Sequence, residues 1–290
     1  MLLKRKILLP AIAGIVLVYG VVMVLQSRLP GLPPLRAAAQ PLPGVVFVSM
    51  LGDLMERQLD GFGGWLPNDL PLSPGYFLDN LPNFQLGVLQ VLRHDTRVLR
   101  DNLSRQRTSD AIHREADQAF TAFANDPTRW AFPSAEGAYQ RGVDALVRFR
   151  RDLNVGAHFY PRADNLVQLL EVLVSELGAT TTRLLLASQS DQVSWYLVDD
   201  AFYYAQGVGY ALTGTMKAVR VDFAPVLEDK RAMEIMDQVI GSLEASQFDP
   251  WIVTNGGKAG ILANHASNVK VYLDDARQKM GSLISILKQG

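Results

Sequence analysis

Residues 7–25, ILLPAIAGIVLVYGVVMVL, run nineteen positions without a charge, directly after Lys4, Arg5 and Lys6. As a helix rising 1.5 Å per residue the run is about 28 Å long, close to the roughly 30 Å hydrocarbon thickness of a bilayer. No water-soluble fold easily covers such a helix on every side, so the run is expected to be one N-terminal transmembrane anchor. A cleavable signal has a shorter apolar region and a small-residue site close behind it. Here the nearest Ala-x-Ala, Ala37 to Ala39, lies fourteen residues past Leu25 and beyond Pro30, Pro33 and Pro34. An uncleaved anchor is the better reading.

Three basic residues precede the run, whereas only Arg28 and Arg36 follow closely, which favours a cytoplasmic N-terminus. The rest of the chain is then expected outside the inner membrane, in the periplasm, with the bilayer as a partner through residues 7–25. The chain has no cysteine, which excludes thiol catalysis and Cys-ligated metal sites. Setting aside Lys4, Arg5 and Lys6 leaves 25 basic against 29 acidic residues, a net charge of −4, and no basis for nucleic-acid binding.

Residues 26–44 carry five prolines and two glycines, so no continuous helix fits; they read as a semi-extended stalk. Beyond it apolar residues recur at helical spacing. Val88, Leu92, Leu99 and Leu103 mark one stripe, and Leu166, Leu169, Leu170, Leu173, Leu177 and Leu184 another. Further helices are expected near 46–60, 109–125, 135–153, 191–221, 226–247 and 264–287. Pro133-Ser134 before Ala135, Asp164 before Asn165, and Ser188 with Asp191 supply start signals. No run alternates with period two. The expected architecture is all-α: an anchor over 1–25, a stalk over 26–44 and a periplasmic multi-helix bundle over 45–290.

One segment departs from this pattern. Residues 61–83, GFGGWLPNDLPLSPGYFLDNLPN, hold four glycines, four prolines, Trp65, Tyr76 and Phe77. A connection of this length is either a functional lid or docking loop, or an ordered wrap that buries Trp65 and Phe77; the second is favoured.

Candidate sites are sparse. Residues 250–268, PWIVTNGGKAGILANHASN, invite comparison with a phosphate-binding loop, but Ile252 stands where its first glycine belongs and Ala259 where its hydroxyl belongs. A turn at Asn255-Gly256 and a helix cap at Asn264 explain most of the stretch, although Asn264, His265 and Asn268 are close enough to meet a ligand. Asp110, His113 and Asp117, spaced i, i+3 and i+7, would share one helix face as half of a metal site. A hydrated charged face is the plainer reading. On the aromatic stretch 195–219, Asp199, Tyr203, Gln206 and Tyr210 share a face, while Gly207, Ala211 and Gly214 form a small-residue strip. That helix is read as a tightly packed central one, or else as the wall of a pocket completed by Trp65 and its loop. Arg93, Arg97 and Arg100, with Arg105 nearby and Asp101 between, read as a solvated ion-pair ladder or an anion contact.

The stretches GGWLPNDLPLSP, RVLRDNLSRQR, DDAFYYAQGVGYAL, NGGKAGILANHASN and LDDAR, together with the charged anchor, resemble a family of uncharacterised proteobacterial membrane proteins, a domain of unknown function. The resemblance covers almost the whole chain. It implies a Gram-negative source and agrees with a periplasmic placement, but it brings no reaction and no site residues. The expected role is non-enzymatic: an envelope scaffold, assembly factor or accessory subunit with an envelope protein as partner and no cofactor. The alternatives are a module binding lipid or another small apolar ligand, and a metal-dependent hydrolase built on Asp110, His113 and Asp117.

Overall fold

A computed structural model describes residues 2–36, 42–107, 109–189, 195–248 and 265–289. In α1, which runs Leu2–Gln26, the described side chains begin at Pro10. The expected all-α architecture is found: among the described residues there is no strand. Among them, too, no helix is long and apolar enough to cross a membrane.

Nine helices follow α1 among the described residues: α2 (Val45–Leu59), α3 (Asn80–Val98), α4 (Arg114–Phe123), α5 (Ala135–Leu153), α6 (Ala163–Gln189), α7 (Trp195–Asp222), α8 (Ala224–Asp229), α9 (Met233–Ala245) and α10 (His265–Lys288). Helix α7 is central and touches α2, α3, α6, α9 and α10, while α4 and α5 pack on the outer side of α2 and α3. One cluster of buried apolar side chains runs from Val46 of α2 to Leu287 of α10.

The small-residue strip on α7 sets this packing. A Cβ at Gly207 would collide with the Phe84 carbonyl of α3, and one at Gly87 would collide with the Tyr204 carbonyl of α7. The two backbones therefore touch where both side chains are hydrogen. Further along α7, a Cβ at Gly214 would come within 3.0 Å of Met50 Sδ on α2.

Local signals explain several boundaries. Ser134 caps α5 by accepting from the Gly137 amide at 3.1 Å. The start of α2 has no capping side chain of its own; instead Asp222, at the end of α7, accepts from the Phe47 amide at 2.7 Å. Burial pushes the Asp222 carboxyl up to about 6, and the amide hydrogen bonds from α2 partly counter that.

Other boundaries differ from expectation. The single helix expected over 226–247 is broken, because Arg231 adopts φ 51° and the Ala232 amide bonds back to the Leu227 carbonyl at 2.7 Å, a left-handed turn that closes α8. Helix α6 begins at Ala163, one residue ahead of Asp164, and extends through Ser188 to Gln189; Asp191 lies outside the described residues. Helix α4 starts only at Arg114.

Of the segment read as a stalk, residues 26–36 and 42–44 are described and 37–41 lie outside the described residues. Residues 28–36 have no regular structure, yet they lie along the bundle and do not stand off from it. Pro33 is buried, the Tyr210 hydroxyl donates to the Gly31 carbonyl at 3.1 Å, and Arg36 pairs with Asp53 of α2 at 2.8 Å. The chain thus leaves α1 at Gln26, beside Gly63 at the C-terminal end of α2, and runs back along α2 toward Gly44.

Asp95 of α3 is a charge carrier in the middle of this core. It is fully buried, Thr215 of α7 donates to its Oδ2 at 2.7 Å, and Oδ1 has no partner. Burial raises its pKa to about 7, only partly offset by the Thr215 hydrogen bond.

Gly207→Ala should destabilise the full chain in detergent by about 2 kcal/mol or more in urea unfolding, because the methyl has only backbone to push against. Gly241→Ala, on the exposed face of α9 with open space around it, should be neutral or stabilising by up to about 1 kcal/mol. For Asp95, the folded state keeps its proton up to about pH 7 whereas the unfolded chain releases it near 3.9. Its contribution therefore declines as pH rises from about 4 to about 7. In Asp95→Asn that decline should shrink; equal slopes for both proteins in a pH series of urea melts would remove Asp95 as its source.

Candidate functional site

The segment between α2 and α3 is built from the inside out. Gln85 of α3, 1% exposed, accepts from the Leu66 amide at 3.0 Å and donates to the Gly64 carbonyl at 2.9 Å and the Gln58 carbonyl at 3.2 Å. A single side chain thus ties the loop to the end of α2. Trp65 is fully buried: its indole donates to the Pro127 carbonyl at 2.8 Å, and its ring meets Tyr139 edge-on at 4.9 Å. The Asn68 amide reaches the Arg129 carbonyl at 3.1 Å, and the Ser73 hydroxyl donates to Asp69 at 3.1 Å. The expected ordered wrap is present for Trp65. It fails for Phe77, which is 55% exposed.

With its interior fixed, the loop turns Phe62, Leu70, Leu72, Tyr76 and Phe77 outward, each more than half exposed. This surface adjoins α1. The Tyr19 hydroxyl donates to the Leu72 carbonyl at 2.7 Å, and the Tyr19 and Phe77 rings meet edge-on at 6.4 Å. Gly14, Ile15, Val18, Tyr19, Val22 and Pro74 line an apolar cleft of about 560 Å³ between helix and loop. A second cleft, of about 370 Å³, opens where α1 ends, with Arg28, Arg57 and Asp60 at its polar side and Leu25, Leu29, Phe62 and Leu81 at its apolar side.

The α7 residues for which a pocket wall was the alternative reading are turned to separate neighbours. Gln206 donates to the Ser246 carbonyl at 2.8 Å, Tyr210 to Gly31, and the Tyr203 ring packs against Phe202 at 5.1 Å. With its amide turned so that the nitrogen can donate, Asn80 reaches Asp199 at 2.5 Å; burial first, then the charges of Asp79 and Asp200, push the Asp199 carboxyl up to about 7. Together with Trp65, these side chains serve as packed interior. Of the last group, Asn264 lies outside the described residues; His265 and Asn268 begin α10, half-buried, with the His265 ring 6.4 Å from that of Phe248.

The alternative metal half-site is not assembled, and the helix expected over 109–125 is corrected at its start. Because α4 starts at Arg114, Asp110 lies in the preceding loop, where it accepts from the Arg107 amide at 2.8 Å, and His113 is the cap of α4, its Nδ1 accepting from the Glu115 amide at 3.3 Å. Asp117 lies 3.7 Å from Arg100. The three do not share a helix face, and among the described residues no group of three His, Asp or Glu side chains is arranged to hold a metal ion. The arginine ladder is also more specific than expected: Arg93 caps the end of α4 through the Phe123 and Asn125 carbonyls, both at 2.8 Å, and Arg100 pairs with its neighbour Asp101.

A buried polar cluster had no equivalent in the sequence reading. Glu176 of α6 takes Gln90 and His94 of α3 on one oxygen, at 3.3 and 3.1 Å, and Thr180 and Tyr204 on the other, both at 3.2 Å. Burial alone would raise the Glu176 pKa; the hydrogen bond and charge of His94, with the hydrogen bonds from Gln90 and Thr180, outweigh it and hold the carboxyl below its ordinary value. The Gln90–His94 spacing of four was the one available signal. Four protein groups occupy both carboxylate oxygens, so the cluster pins α3, α6 and α7 together.

The family described as an uncharacterized protein conserved in bacteria (DUF2333) matches residues 34–194 and 186–290. No curated protein and no solved structure matches the chain.

If Gln85 is the staple, Gln85→Leu should lower stability by about 1–3 kcal/mol, since it removes the side-chain partner of buried backbone groups at Leu66 and Gln58. Hydrogen exchange at the Leu66 amide should accelerate in the variant, and an unchanged rate would show that the loop is held by other means.

Proposed function

We propose that the chain, which belongs to this family of uncharacterized bacterial proteins, is a non-enzymatic single-pass protein of the inner membrane, with its helical bundle on the periplasmic face as scaffold, assembly factor or accessory subunit. The observation that carries this reading is the bare apolar surface of α1. Ile12, Ile15, Val16, Leu17, Val18, Val21 and Val24 are all between 49% and 69% exposed, around most of the helix circumference. The bundle covers only the side that holds Tyr19 and Gln26. In water such a surface is unfavourable by about 25 cal/mol per Å², whereas in lipid it is matched.

The sequence of the whole run supports the same reading, since Ile7 to Leu25 has the length of a bilayer core and follows three basic residues. The non-enzymatic part is supported by the state of the polar groups. Glu176 is saturated by protein donors and the Asp110, His113 and Asp117 set is dispersed, so neither offers a converging acid, base or nucleophile to a substrate.

The test is full-length protein expressed in a Gram-negative cell with alkaline phosphatase fused after residue 290. The fusion should be active and the chain should stay with membranes after a sodium carbonate wash. An inactive fusion, or release by carbonate, overturns the reading. Gentle solubilisation of the native chain should bring a defined protein partner with it.

A further inference from the structure

The loop between α2 and α3 is a second membrane contact: we infer that Leu70, Leu72, Tyr76 and Phe77 enter the outer leaflet of the same bilayer that holds α1. This deepens the proposed function and rests on α1 being the anchor.

Depth is the first argument. Tyr19 is six residues before Leu25, so along the helix it sits about 9 Å inside the end of the apolar run. The Leu72 carbonyl and the Phe77 ring are in direct contact with Tyr19. With Leu25 at the hydrocarbon boundary, the loop tip is carried to the level of Tyr19, within the roughly 5–10 Å that interfacial segments reach into the headgroup and acyl boundary.

Chemistry is the second. The four side chains that face outward there are two leucines, a tyrosine and a phenylalanine, and Leu72 is 79% exposed at φ 76°, a backbone region that disfavours leucine. Tyr19 and Tyr76 have the amphipathic rings that favour the lipid–water boundary. Arg28 and Arg57 lie higher, in the cleft past the end of α1, at the level where phosphates sit. Asp60 shares that cleft, so apolar burial drives the contact and net charge does not.

The layout of the bundle is the third. Gln26 meets Gly63, so the C-terminal end of α2 is beside the end of α1, while Gly44 at its other end meets Phe159. The fifteen residues of α2 separate the two ends by about 22 Å. Val155, 79% exposed and four residues before Phe159 in the chain, therefore lies toward the end of α2 that is remote from α1.

The absence of cysteine permits a direct test on the full chain. Leu70→Cys, Phe77→Cys, Val16→Cys and Val155→Cys are each labelled with an environment-sensitive fluorophore and reconstituted in phosphatidylethanolamine–phosphatidylglycerol vesicles carrying nitroxide lipids. All four positions are exposed, so the fold should tolerate them. The expected result is quenching of roughly twofold or more at 70 and 77 by nitroxide placed near the headgroup, quenching at 16 by deeper nitroxide, and none at 155. Quenching at 16 with none at 70 and 77 overturns the loop contact and leaves the anchor standing. Probes at 70 and 77 shielded from aqueous iodide yet untouched by lipid nitroxides would mean a protein covers the loop, which also overturns it. No quenching at 16 overturns the anchor, and the loop contact with it.

Discussion

The backbone contact between α3 and α7 is the constraint on which the other positions depend. Gly87 and Gly207 let two helices meet with no side chain between them, each glycine facing a carbonyl of the other helix. That closeness brings Thr215 to Asp95, and Tyr204 and His94 to the same Glu176. It also sets Phe84 against Tyr210, whose hydroxyl holds the Gly31 carbonyl and with it the segment that leaves α1. A wider crossing would separate all of these at once, because interiors packed at crystal-like density transmit a displacement and do not absorb it.

Three buried carboxylates in this frame are handled in three ways. Glu176 is surrounded by four donors and stays ionised readily. Asp222 is raised to about 6 but is tied to backbone amides at the start of α2, so its negative end faces the positive end of a helix. Asp95 has one hydroxyl and an orphaned oxygen, and its proton is retained to about pH 7. Burial opposes charge in every case, and only at Glu176 do hydrogen bonds together with the His94 charge reverse the sign.

The end of the bundle next to α1 gathers the features that fit no globular core. The exposed apolar side chains of α1, the loop carrying Leu72 and Phe77, and the cleft with Arg28 and Arg57 lie together there. The acidic trio Asp79, Asp199 and Asp200 stands at the adjoining starts of α3 and α7, and Phe248 and His265, flanking the stretch 249–264, are packed near Phe202 on α7. Among the described residues of this connection, Gly31 and Arg36 are fastened to the bundle through Tyr210 and Asp53.

The sequence makes legible the helical class, the apolar run, the glycine strip on α7 and the Ser134 cap, because each is written in spacing or in residue type over a few neighbouring positions. Periodicity reports which face is apolar and a serine before a helix reports its own cap. It could not determine what meets across the chain. That Phe77 is outside and Trp65 inside, that prolines 30 to 34 lie on the bundle, that Asp222 caps a helix 175 residues away, and that Glu176 collects four partners all depend on which helices are neighbours. The start of α4 was misplaced for a related reason: Asp110 and His113 carry helical spacing, but the Asp110 carboxylate accepts from the Arg107 amide in a local turn, and local side-chain bonds compete with a helix. Tertiary structure decided these points because hydrogen-bond donors and apolar surface act on whatever is near in space, and nearness was fixed by the glycine-mediated crossing of α3 and α7.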